Sequence, residues 1–139
     1  MRSVFVLFPT SQESLVRDWL DHNTVRAGDN NWHVPDAERP VLFCAIGRLF
    51  DDWEAGELAM VRSVIGESPL FVQVDVSGGV SGAVAVLETV AGLLEAVAGS
   101  VAQDGYTSHL WQLAELREGA HVQGHPFFDC QGWYDEQGG

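Results

Sequence analysis

The sequence contains no lysine and only seven arginines, against 20 aspartates and glutamates. Its formal net charge is therefore −13 at pH 7. A surface this acidic repels nucleic acids and anionic membranes and attracts basic partners. We therefore expect a basic protein partner and no direct binding to nucleic acid or to a membrane. The alternative is a compositional bias in which arginine replaces lysine and the acidity has no function.

Cysteine is also scarce, since Cys44 and Cys130 are the only two and form no CxxC motif. This number excludes a disulfide framework and indicates free thiols in a reducing cytoplasm. The apolar run at residues 4–8 is stopped by Pro9 and is too short for a signal peptide. The longest charge-free run, residues 76–87, is shorter than the roughly 18 residues of a membrane span. We expect a cytoplasmic protein.

The 139 residues, 46% of them hydrophobic, are enough for one domain with its own core. Hydrophobic patterns predict strands at residues 4–8, 41–46, 70–76 and, weakly, 106–113, and helices at 11–22, 53–65 and 81–102. Residues 23–40 read as a polar loop, and residues 119–139 as an irregular, aromatic C-terminal segment.

The alternation of strands and helices favours an α/β fold with a mostly parallel four-stranded sheet and about three helices. An α+β sandwich with one antiparallel pair is the alternative. The helix predicted at 81–102 is apolar on most of its surface. It is expected to be buried in the domain, and a homodimer contact is the alternative.

The turn after the third predicted strand is a candidate ligand site, built from Ser77, Gly78, Gly79 and Ser81. Backbone N–H groups before a helix can hold an anion. The turn matches neither the P-loop nor the GxGxxG pattern, and no basic residue lies between Arg62 and Arg117. A plain turn is therefore the favoured interpretation.

Histidines in the C-terminal third suggest a second candidate, a metal site of His109, His121, His125 and Asp129. Three of these residues are spaced by four, which stacks ligands on one face of a helix. Gly124 and Pro126 argue against such a helix, so side chains that anchor the tail are the favoured interpretation. We expect no cofactor, and because no motif specifies a reaction, we expect a binding protein rather than an enzyme.

Acidic residues gather beside aromatic ones in two places, and these are the predicted partner-binding residues. The first cluster precedes the second predicted helix and comprises Asp51, Asp52, Trp53, Glu54 and Glu57; the second comprises Trp133, Tyr134 and Asp135. Aromatic side chains rimmed by charge are typical of interface hot spots. In the tail, Phe127, Phe128 and Trp133 are expected to pack on the core. Trp133 and Tyr134 as partner anchors are a compatible interpretation.

The segment DGYTSHLW at residues 104–111, together with residues 124–134, resembles small bacterial proteins, some of which are associated with toxin immunity. The resemblance covers about a quarter of the chain and implies a cytosolic bacterial accessory protein without assigning a catalytic residue. The expected function is an acidic immunity or inhibitor protein that occludes a basic partner such as a toxin. The alternative is a ligand-binding or metal-dependent enzyme that uses the 77–82 turn or the histidine set.

Overall fold

The computed structural model describes residues 2–35, 40–48, 54–66, 68–76 and 83–136. Within these residues the chain forms six strands, five α-helices and one short 3₁₀ turn at Thr10–Gln12. The strands are β1 (Arg2–Pro9), β2 (Val25–Arg26), β3 (Asn31–Pro35), β4 (Pro40–Arg48), β5 (Pro69–Val76) and β6 (Val101–Gln103). The helices are α1 (Glu13–Asn23), α2 (Ala55–Ile65), α3 (Ala83–Ala96), α4 (Leu113–Glu118) and α5 (Cys130–Glu136).

All six strands belong to one sheet with the order β2-β3-β4-β5-β1-β6, and every neighbouring pair is antiparallel. The prediction of a mostly parallel four-stranded sheet is therefore wrong. The fold is α+β, the class of the alternative, but its sheet is antiparallel throughout and not in one pair alone.

The prediction was wrong because a helical crossover sets the direction of the two strands it joins and does not place them side by side. Because β1 and β4 both run antiparallel to β5, they run in the same direction, and α1 lies between them in the chain. Likewise β5 and β6 share a direction, with β1 between them in the sheet. Each crossover skips one strand position, as in the split β-α-β arrangement of ferredoxin-like folds. A crossover helix fixes the direction of two strands but does not make them neighbours.

Two predicted segments contain strands that their composition hid. The polar loop at 23–40 holds the short strands β2 and β3, and β3 pairs with β4. The third helix ends at Ala96 rather than near residue 102, because Gly99, with φ +81°, reverses the chain into β6. The weak strand predicted at 106–113 is reduced to a single bridge between Trp111 and Ala102.

The main core lies between the sheet and the helices α1 and α3. Alternate residues of β1 and β5 face these helices, including Val4, Val6, Val72 and Val74, all at most 1% exposed. Gly92 lets the two helices approach, since a Cβ atom there would lie 2.4 Å from the indole of Trp19. Helices α1 and α3 therefore form one closely packed layer on this face of the sheet.

The opposite face of the sheet is covered by α2. Val61 of this helix is fully buried against Leu7, Phe71 and Val101. Methionine and valine on the outer side of the same helix remain accessible, since Met60 is 37% and Val64 is 50% exposed. This second layer therefore has a buried side and an apolar outer side.

The polar segment at residues 23–40 is anchored to the core by Trp32, which is 1% exposed in β3. Its indole N–H donates to Asp21 Oδ1 at 2.8 Å, and the guanidinium groups of Arg17 and Arg26 lie 5.8 and 5.6 Å from its ring centre. These arginines also pair with Glu13 and Asp21, as Arg117 pairs with Glu95. Three of the seven arginines are thus paired with carboxylates of the chain, and the 20 acidic residues far outnumber the arginines.

Candidate functional site: the C-terminal helix and its aromatic support

The C-terminal segment contains the short helix α5, which its glycine-rich composition did not predict. Asp129 caps the helix, because its Oδ1 atom accepts the backbone N–H of Gly132 at 3.1 Å. The backbone oxygen of Asp129 accepts the N–H of Trp133 at 3.0 Å in the first helical turn. An aspartate at the N-cap satisfies helix donors that otherwise lack a partner. One local side chain therefore starts this helix.

The same Asp129 binds His125, which lies between two carboxylates. His125 Nδ1 is 3.0 Å from Asp129 Oδ2, and its Nε2 atom pairs with Glu136 at the other end of α5. A neutral imidazole has one N–H, so only the imidazolium donates to both carboxylates at once. The hydrogen bond to Asp129, followed by that to Glu136, raises the pKa of His125 above its usual value. The hydrogen bond from His125 lowers the pKa of Asp129.

Gly132 makes room for this pair of charges. A Cβ atom at position 132 would lie 1.9 Å from Asp129 Oδ2 and 2.8 Å from His125 Nδ1. Both distances are far below van der Waals contact, so a larger residue displaces the carboxylate or the imidazole. The glycine is thus required by the close approach of α5 to His125.

Trp133 fixes the helix to the body of the protein. Its ring stacks on His125 with centroids 4.0 Å apart on one side and on Tyr106 at 5.7 Å on the other. Tyr106 in turn packs against Phe128, which is 3% exposed in the main core. As predicted, Phe127 and Phe128 pack on the core, and Trp133 joins them through Tyr106.

A buried carboxylate holds the two ends of this aromatic support together. Asp104, 3% exposed, accepts the backbone N–H of Tyr106 through Oδ1 at 3.1 Å and that of Phe128 through Oδ2 at 2.9 Å. Phe128 has φ +55°, a backbone conformation that bulky residues rarely adopt. The hydrogen bond to Asp104 and the burial of the ring together stabilise it. The C-terminal segment is therefore tied to the end of β6.

Tyr134 lies on the outer side of α5 and is 61% exposed. Asp135 and Glu136 are also exposed, and Asp135 accepts a hydrogen bond from the Gln131 side chain at 2.8 Å. Of the predicted tail residues, the structure therefore leaves Tyr134 and Asp135 accessible and packs most of Trp133. We call Tyr134 and Asp135 the α5 outer face.

The first predicted acidic cluster lies only partly within the described residues. Asp51, Asp52 and Trp53 fall outside them. Glu54 is exposed and directly precedes α2, and Glu57 is partly exposed in the first turn of that helix. Glu54 makes no side-chain capping hydrogen bond, so its carboxylate is available to solvent. The proposed ligand turn, Ser77, Gly78, Gly79 and Ser81, also lies outside the described residues.

The proposed metal ligands bind other partners. His109 Nε2 lies 2.9 Å from Glu115 Oε2, and His125 is held by Asp129 and Glu136 on opposite sides of its ring. Carboxylates on opposite ring nitrogens do not converge on one ion. His121 is exposed. Across the described residues, no group of three or more His, Cys, Asp or Glu side chains is arranged to hold a metal ion.

Sequence reasoning missed Asp104 and Tyr106 as supports of the tail. The Asp-Gly pair at 104–105 signals a turn, which is the role of Gly105 at φ +82°. No signal in the sequence connects Asp104 with Phe128, 24 residues away.

No protein-family model matches the sequence, and no curated protein or solved structure matches it. In the described part of the chain, no helix has the length and apolar character needed to cross a membrane.

Proposed function

We propose that the chain is an acidic protein-binding domain of the immunity or inhibitor type, which occludes a basic protein partner such as a toxin. The observation that carries this proposal is Tyr134. At 61% exposure it is more accessible than any other large hydrophobic side chain whose exposure the structure describes. Tyrosine is enriched in the hot spots of protein interfaces, where an aromatic ring is surrounded by polar groups. Here Asp135, which is exposed beside Tyr134, supplies part of that rim.

The rigidity of α5 supports this role. Trp133 stacks between two rings, and His125 pairs with carboxylates at the beginning and the end of the helix. A side chain on a preorganised helix loses less conformational freedom when it binds. Trp133 therefore acts as the support of the site, and Tyr134 as the residue that contacts the partner.

The charge of the chain supports a basic partner. A net charge of −13 accelerates association with a basic protein and disfavours acidic ones. We assign Glu54 and Glu57, with Asp51, Asp52 and Trp53 beside them in the sequence, to a second acidic region that attracts the same partner. In this proposal Tyr134 contributes most of the affinity, and the acidic groups mainly increase the association rate constant.

The experiment uses the products of the genes beside this one. Each product with an isoelectric point above about 9 is purified and its binding to the chain is measured by biolayer interferometry. We expect one of them to bind and its association rate constant to fall at least about tenfold between about 50 mM and 500 mM NaCl.

Two double variants distinguish the effect of this acidic region from the effect of net charge alone. The double variant Glu54→Gln/Glu57→Gln is expected to slow association more than Asp18→Asn/Glu88→Gln, which removes two exposed carboxylates elsewhere. Both variants change the net charge by the same amount. Equal rates for the two variants, or association that is insensitive to salt, contradict the proposed role of this acidic region.

A further inference from the structure

A groove with both apolar and polar lining opens at the end of the sheet where β6 begins. Its volume is about 430 Å³, and it is lined by residues of α2, α3, β6 and α4. The apolar part of the lining is Val64, Leu94, Val101 and Leu113; Gly99, Ser100, Gln112 and Ala114 complete it. All of these residues are described, and none belongs to the α5 outer face. The groove is therefore a feature separate from Tyr134.

The outer side of α2 adjoins the groove through Val64, which belongs to both. Glu57, Met60 and Val64 are spaced by three and four residues, so they share one side of the helix. Met60 is 37% and Val64 is 50% exposed, and Glu57 lies one turn before Met60. A carboxylate, a flexible thioether and the groove thus follow one another along a single helix. Arg62, two residues before Val64, projects about 200° away around the helix.

The charge of the surrounding helices selects the kind of occupant. Within their bounds, α2, α3 and α4 carry two arginines and five glutamates, namely Arg62 and Arg117 against Glu57, Glu88, Glu95, Glu115 and Glu118. Arg117 is paired with Glu95 at 3.0 Å, and Glu115 with His109 at 2.9 Å, so the excess of glutamates rests on Glu57, Glu88 and Glu118. A second copy of this chain, with its own charge of −13, is repelled from such a surface. A basic segment with an apolar side chain is complementary to it.

We propose that this groove binds one aliphatic side chain of a basic peptide segment, whose flanking arginine or lysine pairs with Glu57. The inference rests on the proposed function in that the segment belongs to the basic partner. It identifies a second contact site, distinct from Tyr134, and the chemistry of what fills it. Apolar burial contributes the affinity at this site and the glutamate selects a basic neighbour.

The test uses a defined probe, the peptide acetyl-Arg-Leu-Arg-amide, added to the full chain while amide chemical shifts are followed by NMR. Saturable shifts are expected at Val64, Gly99 and Leu113. Acetyl-Arg-Ser-Arg-amide, with the same charge, is expected to bind at least about fivefold more weakly because it lacks the aliphatic group. Equal binding of the two peptides, or shifts confined to other surfaces, overturns the inference.

Matched variants test the two parts of the proposed contact, the groove at Val64 and the glutamate at position 57. Val64→Asn is expected to weaken binding of the leucine peptide at least about fivefold. Leu15→Asn, at a similarly exposed position of α1, is expected to leave the binding unchanged. Glu57→Gln is expected to weaken it more than Asp18→Asn. Unchanged binding in Val64→Asn overturns the inference, as does a concentration-dependent dimer in sedimentation that Val64→Asn removes, since a second copy then fills the groove.

Failure of the groove and failure of the proposed function are distinguishable. Peptide binding at Val64, combined with a Tyr134→Ala variant that keeps full affinity for the basic protein, supports the groove and contradicts the role of Tyr134. Loss of affinity in Tyr134→Ala, with no peptide binding at the groove, supports the α5 outer face and overturns the groove.

Discussion

Trp133 and Tyr134 are adjacent in the chain but lie on different sides of α5. Trp133 stacks between His125 and Tyr106, whereas Tyr134 is 61% exposed. Consecutive residues of a helix point about 100° apart, so one aromatic residue can hold the helix while the next faces solvent. The two residues are therefore expected to respond differently to substitution.

The first prediction concerns stability. Trp133→Ala removes both ring stacks and is expected to lower the free energy of unfolding by about 2–3 kcal/mol, below the range for a fully buried tryptophan because Trp133 is partly accessible. Tyr134→Ala is expected to change it by less than about 0.5 kcal/mol. Urea unfolding followed by circular dichroism measures both. Similar losses in the two variants contradict the assignment of Trp133 to support and Tyr134 to the surface.

Which aromatic residue of the tail packs on the core could not be predicted from the sequence. Four aromatic residues within eight positions, 127–134, marked the tail as a segment that must pack or bind. Which of them packs depends on Tyr106 and Asp104, and these contact the tail from more than 20 residues earlier in the chain. The helix was hidden by Gly132, which is ordinarily unfavourable in a helix and is required here by His125 and Asp129.

In the sheet, the positions of three strands could be predicted from the sequence, but their order could not. Short apolar runs identified β1 and β4, and the alternation of Val72, Val74 and Val76 with other residues identified β5, because strands have a local signature. Their order did not follow, because β5 enters between β1 and β4 through contacts with no local signal. Strand β3 was missed because its neighbours are polar, although Trp32 and Val34 alternate with Asn31 and His33. The prediction of the parallel sheet failed for this reason.

A second prediction tests the glycine at position 132. Gly132→Ala is expected to lower the free energy of unfolding by about 1–3 kcal/mol, because the new Cβ atom meets the Asp129 carboxylate. Gly56→Ala in α2 is the matched control, since no atom lies within 4 Å of a Cβ atom there. The control is expected to gain about 0.5–1 kcal/mol from helix propensity. Opposite signs for the two variants support the close packing of α5, and a gain at both positions contradicts it.

A third prediction concerns pH. The pKa of His125 is raised in the folded protein, so its contribution to stability is full below about pH 6.5, the unfolded value, and is lost as the pH rises through the folded pKa. The pKa of Asp129 is lowered, so its contribution is present above about pH 3.9 and is lost as the pH falls through the folded pKa. The pair is therefore expected to stabilise α5 most between about pH 4 and 6.5.

The measurement compares the chain with His125→Gln. The difference in their free energies of unfolding is expected to be largest near about pH 5 and to shrink above neutral pH. NMR titration of the His125 ring is expected to give a pKa above about 6.5, and Asp129→Asn is expected to lower it. A difference in stability that stays constant from about pH 5 to 9 contradicts the imidazolium between two carboxylates.

A fourth prediction concerns Cys44, which is 1% exposed in β4. Burial, with a smaller contribution from the charge of Asp75, raises the pKa of its thiol to about 12. In a Cys130→Ser variant, which leaves one thiol, labelling by a thiol reagent such as DTNB is expected only as the chain unfolds. Full labelling in urea is the control. Rapid labelling of the folded variant contradicts the burial of Cys44 against β5 and α3.

The most direct test of the central claim is the affinity of the α5 outer face for the basic partner identified among the neighbouring gene products. Tyr134→Ala is compared with Leu15→Ala, in which an exposed apolar side chain is removed from α1. The predicted result is a dissociation constant raised at least about tenfold by Tyr134→Ala and less than about twofold by Leu15→Ala. Equal dissociation constants for Tyr134→Ala and the unchanged chain contradict the claim that this helix is the binding site.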